Sequence, residues 1–322
     1  MDQQIERKCS ELVENYRVLA PACKMSSSEM VLACAGIYQA AGVQPDMNRL
    51  EECRKLLKSK AGPLSNFRGS DEPIILCKMA LSDDPAQYFE NLEKTYQSIK
   101  SFFSGEQTVL AAMILAEQGN SEGGLAEKTK QIYKEMKEAH PWLTSEEDLP
   151  FAALMAVSGR DAAAVYAEAE EIYKLLKGNL HADKDTMQML SHILALRRGR
   201  PEEKCEKLCE LANGLKAAKR SLGSWSRLAI LGLLADSGMP TDALIDHICE
   251  ADDYLREYKP FHGLLGVGGE CRRMFAVQMV HASFPNEESL GVSAILTVSI
   301  ELAIITMILM IIILSSSAAS TH

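Results

Sequence analysis

Apolar and polar residues are arranged along this chain in two helical patterns. In the stretches Leu110-Ala-Ala-Met-Ile-Leu-Ala116, Phe151-Ala-Ala-Leu-Met-Ala-Val157, Met189-Leu-Ser-His-Ile-Leu-Ala195 and Leu228-Ala-Ile-Leu-Gly-Leu-Leu234, nearly every position is apolar. That is the pattern of a helix buried on all sides. Between them lie stretches with one apolar stripe set among Lys and Glu, as in Leu92 to Lys100, Thr129 to Lys137 and Ala169 to Lys177. Such a stripe predicts a helix with one face on a core and the other in water. Each striped stretch carries a tyrosine at a recurring place. Tyr96 and Tyr133 are 37 residues apart, Tyr133 and Tyr173 are 40 apart, and a looser continuation runs through Gly214 to Tyr254. A beat of about 40 residues predicts an all-α chain of stacked helical hairpins, an α-solenoid-like array with the apolar helices inside. The stretch from His140 to Leu196 displays the unit most fully. An ordinary all-α protein without a repeat is the competing reading.

Helix starts and stops fill in the rest. Ile5 to Leu19 and Ser26 to Ala41 read as a first hairpin, the second helix entered through Ser26-Ser27-Ser28 with Glu29 in the first turn. Leu50 to Lys60 follows. Asn66-Phe67-Arg68-Gly69-Ser70-Asp71-Glu72-Pro73 turns into an apolar helix from Ile74 to Leu81, with Pro73 in the first turn where its missing N–H costs little. The same device recurs at Thr144-Ser145-Glu146-Glu147-Asp148-Leu149-Pro150. Asp183-Lys184-Asp185-Thr186 opens a helix to Leu196, and Ser224 or Ser226 opens one to Ala235. A Gly-rich connection from Lys259 to Gly269 precedes Arg272 and Arg273. Its glycines permit close backbone approach, but the spacing follows neither the P-loop nor the dinucleotide pattern. No linker breaks the chain, so residues 1–286 are expected to form one body and residues 287–322 an apolar C-terminal helix with a short polar tail.

That C-terminal stretch, Leu290 to Leu314, carries a single charge, Glu301, and is long enough to cross a bilayer. Against an anchor stand the polar stripe Ser293, Thr297 and Glu301, and the lack of flanking Lys or Arg. A helix buried against protein, in a core or a homodimer seam, is the preferred expectation, and a membrane-tethered adaptor is the alternative.

Charge narrows the partners. There are 34 basic and 44 acidic residues, net −10, and no basic stripe, which argues against nucleic acid. The charged amino terminus lacks the apolar run of a secretory signal, so a cytoplasmic protein is expected. Nine scattered cysteines without CxxC spacing suit reduced, mostly buried thiols. Cys205 and Cys209 lie one helical turn apart, but no cluster of His or Cys nearby completes a metal site.

The run His140-Pro-Trp-Leu-Thr-Ser-Glu-Glu-Asp-Leu-Pro-Phe-Ala-Ala-Leu, the later Gln188-Met-Leu-Ser-His-Ile-Leu-Ala-Leu196 and the upstream Asn66-Phe-Arg68-Gly resemble an uncharacterised bacterial protein group, domain-of-unknown-function family 4003. The resemblance extends from Ile5 to Phe284. It implies a bacterial, cytosolic, helical protein, and brings no reaction, cofactor or catalytic residue with it.

Function is accordingly read from the array itself. Helical arrays ordinarily bind a protein or peptide, so a non-catalytic scaffold is expected, with no cofactor and no metal. In stacked hairpins the inner helices start on one edge, and that edge would carry Arg68, Asp71, Glu147, Asp148, Asp185, His262, Arg272 and Arg273. Its carboxylates suit basic side chains of a ligand, and its arginines an anionic end. A metal-assisted hydrolase-like enzyme is the alternative, drawing on Asp71, Gln107, Asp148 and Asp185 with Arg68, His192 and His262 within reach. The plainer reading makes these residues helix caps and His192 a satisfied core histidine.

Overall fold

The computed structural model describes residues 1–21, 26–100, 105–118, 124–139, 141, 144–223, 226–263 and 266–284. Among them the chain is helical throughout, with no strand. The α-helices are α1 (Gln3–Leu19), α2 (Ser28–Ala40), α3 (Met47–Lys60), α4 (Glu72–Leu81), α5 (Pro85–Ile99), α6 (Glu106–Ala116), α7 (Gly124–Ala139), α8 (Leu149–Val157), α9 (Ala162–Asn179), α10 (Lys184–Ala195), α11 (Pro201–Ala217), α12 (Thr241–Arg256) and α13 (Gly269–Ser283). Three 3₁₀ segments, Asn66–Arg68, Glu146–Asp148 and Ser226–Leu234, join them. The apolar stretch 290–314 lies outside the described residues, and among these no helix is long and apolar enough to cross a membrane.

The two sequence patterns give two classes of burial. All nine residues of α8 are buried, as are Met30 through Gln39 of α2 and Thr108 through Leu115 of α6. By contrast α1 buries only the stripe Ile5, Cys9, Leu12, Val13 and Leu19 with Asn15, and α7 buries Ala126, Thr129, Ile132, Tyr133 and Met136. A fully buried aliphatic side chain contributes about 1.5–3 kcal/mol, so the apolar helices form the core and the striped helices its wall. Ser27, Asp46, Asp84, Asp161 and Asp183 accept backbone N–H groups at the starts of α2, α3, α5, α9 and α10. These caps, each worth about 1 kcal/mol, account for where those helices begin.

Neighbouring helices pack in chain order: α1 on α2, α3 on α4, α5 on α6, α7 on α8, α9 on α10 and α12 on α13, with the segment Ser226–Leu234 on α10, α11 and α13. The chain also returns to its start, since α1 packs on α12 and α13. Gln278 of α13 donates to the carbonyl of Gly36 in α2 across 242 residues of sequence at 3.4 Å. An open array would keep its two ends apart.

Long polar side chains tie the carboxyl ends of the buried helices together. Arg49 of α3 donates to the carbonyls of Ser82 and Asp83 just past α4, and Lys128 of α7 to Ala156 and Arg160 at the end of α8. Lys207 of α11 reaches the carbonyls of Ser237 and Met239, and Arg160 that of Ala195 in α10 at 2.5 Å. Lys78 pairs with Glu117 after α6 at 3.0 Å, and Arg197 with Asp236 at 2.7 Å. A helix leaves its last carbonyls without intrahelical donors, and cations are favoured there. Each tie spans 28 to 39 residues of sequence.

Two departures from the expected pattern have a packing cause. The helix expected up to Ala235 is the tighter 3₁₀ run Ser226–Leu234, within which a Cβ on Gly232 would stand 2.7 Å from Ile193 Cγ2. The tyrosine register fails at Gly214 because a Cβ there would meet Ile245 Cδ1 at 2.2 Å, so α11 and α12 approach where no side chain fits.

The closing contact and the buried ties are separately testable. A Cβ on Gly36 would already lie 3.0 Å from Gln278 Nε2. Gly36→Val is therefore expected to lower stability by about 1–3 kcal/mol in urea unfolding and to speed amide exchange in α1 and α13. Little change would mean that α2 and α13 do not press on each other. Arg197→Met deprives the buried carboxylate of Asp236 of its counter-charge, with an expected loss of about 3–5 kcal/mol, and adding Asp236→Leu should restore most of it. If the double variant is no better than the single one, the pair is not the source of the loss.

Candidate functional site

At the amino ends of the buried helices the chemistry is reversed. Glu106, in the first turn of α6, accepts the backbone N–H of Ser70 at 3.0 Å, where a Cβ on Gly69 would lie 3.1 Å from the same oxygen. Glu146 lies over Gly105, the residue capping α6, with one carboxylate oxygen 2.4 Å from where a Cβ would be. Glu270 of α13 lies over Gly223 in the same way and pairs with Arg227 at 3.1 Å. Gln188 of α10 donates to Asp148 at 3.1 Å. Carboxylates are favoured at helix amino ends, and the glycines give them room to come close.

Asp71 and Asp148 hold corresponding places on this edge. Each caps a buried helix, each has helical backbone angles (φ/ψ −82°/−8° and −86°/−11°), and each is followed by a proline at the second helical position. A capping side chain ordinarily accepts an N–H of the second or third helical residue from an extended backbone, and proline has none to give. Neither aspartate makes that bond. Asp148 finds other donors, the backbone N–H of Ser145 at 2.9 Å and the Gln188 amide. Asp71 is 1% exposed, and among the described residues neither of its carboxylate oxygens has a hydrogen-bond donor.

The electrostatics follow the donors. Desolvation pushes the Asp71 carboxyl up to about 8, and the charge of Glu106 adds to the rise. Desolvation also raises Asp148, with Glu147 and Asp185 adding to it, but the Ser145 and Gln188 hydrogen bonds hold it to about 6.

Asp148 and His192 are brought together, with Nδ1 3.8 Å from the carboxylate and the imidazole 5.1 Å from the Phe151 ring. His192 is only 2% exposed. The adjoining cavity, lined by Met136, Thr144, Tyr166, Tyr173, Gln188 and His192 among others, is about 10 Å³, room for one water. The cavity that adjoins the Asp148–His192 pair is thus too small for a substrate-sized molecule.

The other expected edge residues separate by surroundings. Glu147, Asp185 and His262 are exposed. Arg68 is half-buried, donating to the carbonyl of Ala61 at 3.3 Å and lying 3.8 Å from Glu72. Arg272 is buried and bonded to Asp252 at 2.6 Å, and Arg273 donates to the carbonyl of Ser221 at 2.8 Å. Arg272 and Arg273 therefore make protein contacts of their own. Three of the regularly spaced tyrosines lie near residues of this edge. Tyr96 accepts from Asn66 at 2.6 Å and packs edge-on against Phe67, Tyr133 lies near the charges of Asp148 and Glu146, and Tyr173 near those of Glu170 and Asp185.

Asp252 escaped the sequence reading. It is fully buried and gathers Arg272, Arg220 at 2.6 Å and Arg256 at 3.8 Å. The signal was a charged residue falling among Leu244, Ile248, Ala251 and Leu255, the buried stripe of α12. Cys205 and Cys209 are thiols whose pKa burial raises, that of Cys205 to about 12. Among the described residues no group of three or more His, Cys, Asp or Glu is placed to hold a metal.

The Asp71 geometry sets a pH signature. Its folded-state value of about 8 lies above the unfolded value near 3.9, so its contribution to stability is full below about pH 4 and is lost as the pH rises through about 8. Asp71→Asn is expected to melt close to the wild type near pH 4 and above it at pH 9. Parallel melting curves over that range would show that this carboxyl titrates as an exposed one.

Comparison with known proteins gives a family and no reaction. A family model described as "Protein of unknown function (DUF4003)" matches residues 15–309. The "Uncharacterized protein YeaA" of Bacillus subtilis (strain 168) is 24% identical over 200 residues, 58% of this chain and 59% of that protein, so the match spans about three-fifths of the relative's length. No solved structure matches the chain. The chain belongs to the DUF4003 family.

Proposed function

We propose that this family member is a cytosolic, non-catalytic scaffold built from stacked helical hairpins, which binds a protein or peptide at the edge where its buried helices begin. One observation carries the reading: among the described residues, buried acceptors without a donor gather at the amino ends, while at the carboxyl ends the unmet groups include Gln39 Oε1 and Gln118 Nε2. At the carboxyl ends, Arg49, Lys128, Arg160 and Lys207 supply donors to the carbonyls. At the amino ends, both oxygens of Asp71 and one each of Gln107 and Glu146 are buried without a donor among the described residues. Buried acceptors without donors are costly, and a protein retains few of them without a reason. Glu147, Asp185 and His262 add an exposed, mixed-charge rim, within which Arg68 stands half-buried. The closed packing around Asp148 and His192 supports binding over catalysis, since a general acid or base must come within hydrogen-bond reach of its substrate.

The test uses the full chain on a peptide array, with Arg68→Ala and Asp185→Ala as probes of the edge and Arg54→Ala on α3 as a control elsewhere. Peptide binding is expected to weaken about tenfold with the edge variants and to stay unchanged with the control, at unchanged melting temperature. Equal binding by all three would remove the edge from the reading. Turnover of any bound peptide would overturn the non-catalytic role.

A further inference from the structure

We propose a second interaction surface, an open cleft along α1, whose occupant is a basic segment of another protein with an apolar residue among its lysines or arginines. No residue of the edge described above lines it, so it stands or falls independently of that reading.

The cleft has a volume of about 480 Å³, against about 10 Å³ beside His192. Spaces that hold ligands are commonly about 300–1,000 Å³. It is lined by Glu6, Arg7, Glu11 and Glu14 of α1, by Gln44 in the connection after α2 and by Tyr254 of α12. From Gln3, which also lines it, to Glu14 it follows α1 for about 16 Å at 1.5 Å per residue. Since α1 packs on both α2 and α12, the return of the chain to its start brings Tyr254 to the same space as Gln44. Glu6, Arg7, Glu14 and Gln44 are exposed, so a partner reaches them without rearrangement.

Charge fixes the kind of partner. Three carboxylates face one cation in the lining, and Glu6 forms no ion pair among the described residues. The pairs that exist join surface groups: Glu11 with Arg7 at 3.6 Å and Lys8 at 3.2 Å, and Glu14 with Arg17 at 3.3 Å. Such pairs are weak, so an incoming cation can replace them. The phosphates of a nucleic acid or an anionic membrane would be repelled.

Two further features suit a protein segment rather than a bare cation. Val43, directly before Gln44, is 50% exposed, one of three large apolar side chains exposed among the described residues. Tyr254 packs on Tyr258 with ring centroids 5.0 Å apart, and Arg17 already lies over the Tyr258 ring at 5.7 Å. Aromatic rings of this kind receive cations on their faces and apolar side chains beside them.

The probe is dansyl-Lys-Lys-Leu-Lys-Lys-amide, titrated with the full chain and compared with the same peptide carrying glutamine for each lysine. Saturable binding of the lysine peptide is expected, weakened by salt. Glu6→Gln combined with Glu14→Gln should weaken it about fivefold at unchanged melting temperature. A chain of net charge −10 attracts any basic peptide, so Glu127→Gln combined with Glu171→Gln, at exposed positions of α7 and α9, serves as the control with the same change of charge. That pair should leave binding unchanged, as should Asp185→Ala on the other edge. Equal loss in the two double variants, equal binding of the two peptides, or no saturable binding would each overturn the proposal. Loss with Asp185→Ala as large as with the cleft variant would overturn it as well.

Discussion

A helix buried on every side has nowhere to turn for the partners that its own ends lack. The first four N–H groups and the last four carbonyls are beyond the reach of the intrahelical ladder, and water, which would serve a surface helix, is excluded. In this protein the partners come from neighbouring helices. Lysines and arginines from the wall lie across the carbonyl ends, and glutamates reach back over the amino ends of the helix before. The arrangement uses the helix dipole twice, and fixes the spacing and direction of the buried helices, because a tie about one hairpin long reaches its partner only if successive buried helices run the same way.

This explains why so many charged residues here are neither on the surface nor catalytic. Lys204 is buried against Glu168 and the carbonyls of Leu194 and Arg197, and Asp252 holds Arg272 and Arg220 in the joint between the last two helices. Buried pairs of this kind add little net stability compared with apolar packing, yet are costly to break. Their effect is to specify which helix lies against which, something that the interchangeable Leu, Ile and Ala of the core do poorly.

Much of the fold was legible because the apolar pattern of α6, α8 and α10 and the stripes of α5, α7 and α9 are direct consequences of burial. The caps at Ser27 and Asp183 and the prolines at 73 and 150 also fell where local chemistry puts them. The return of α1 onto α12 and α13 was not legible, since no local pattern records which of several similar apolar faces will meet. Of the expected edge residues, Asp71 and Asp148 could be placed at helix starts, but not the fact that one finds donors and the other does not. That difference depends on Ser145 three residues before Asp148 and Gln188 forty residues after it. Arg272 could be read as open to an anion only while its partner Asp252, twenty residues upstream, was out of view.

The same return of the chain sets a condition on how the protein is made. The amide of Gln278 and the face of α13 that cover α2 leave the ribosome 242 residues after Gly36. At about 5–20 residues per second, the first two helices wait roughly 10 to 50 s for their last partners. During that time Val31, Leu32, Ile37 and their neighbours, all buried in the finished molecule, lack part of their cover. The nascent amino-terminal helices are thus a natural client for a chaperone until α13 has been made.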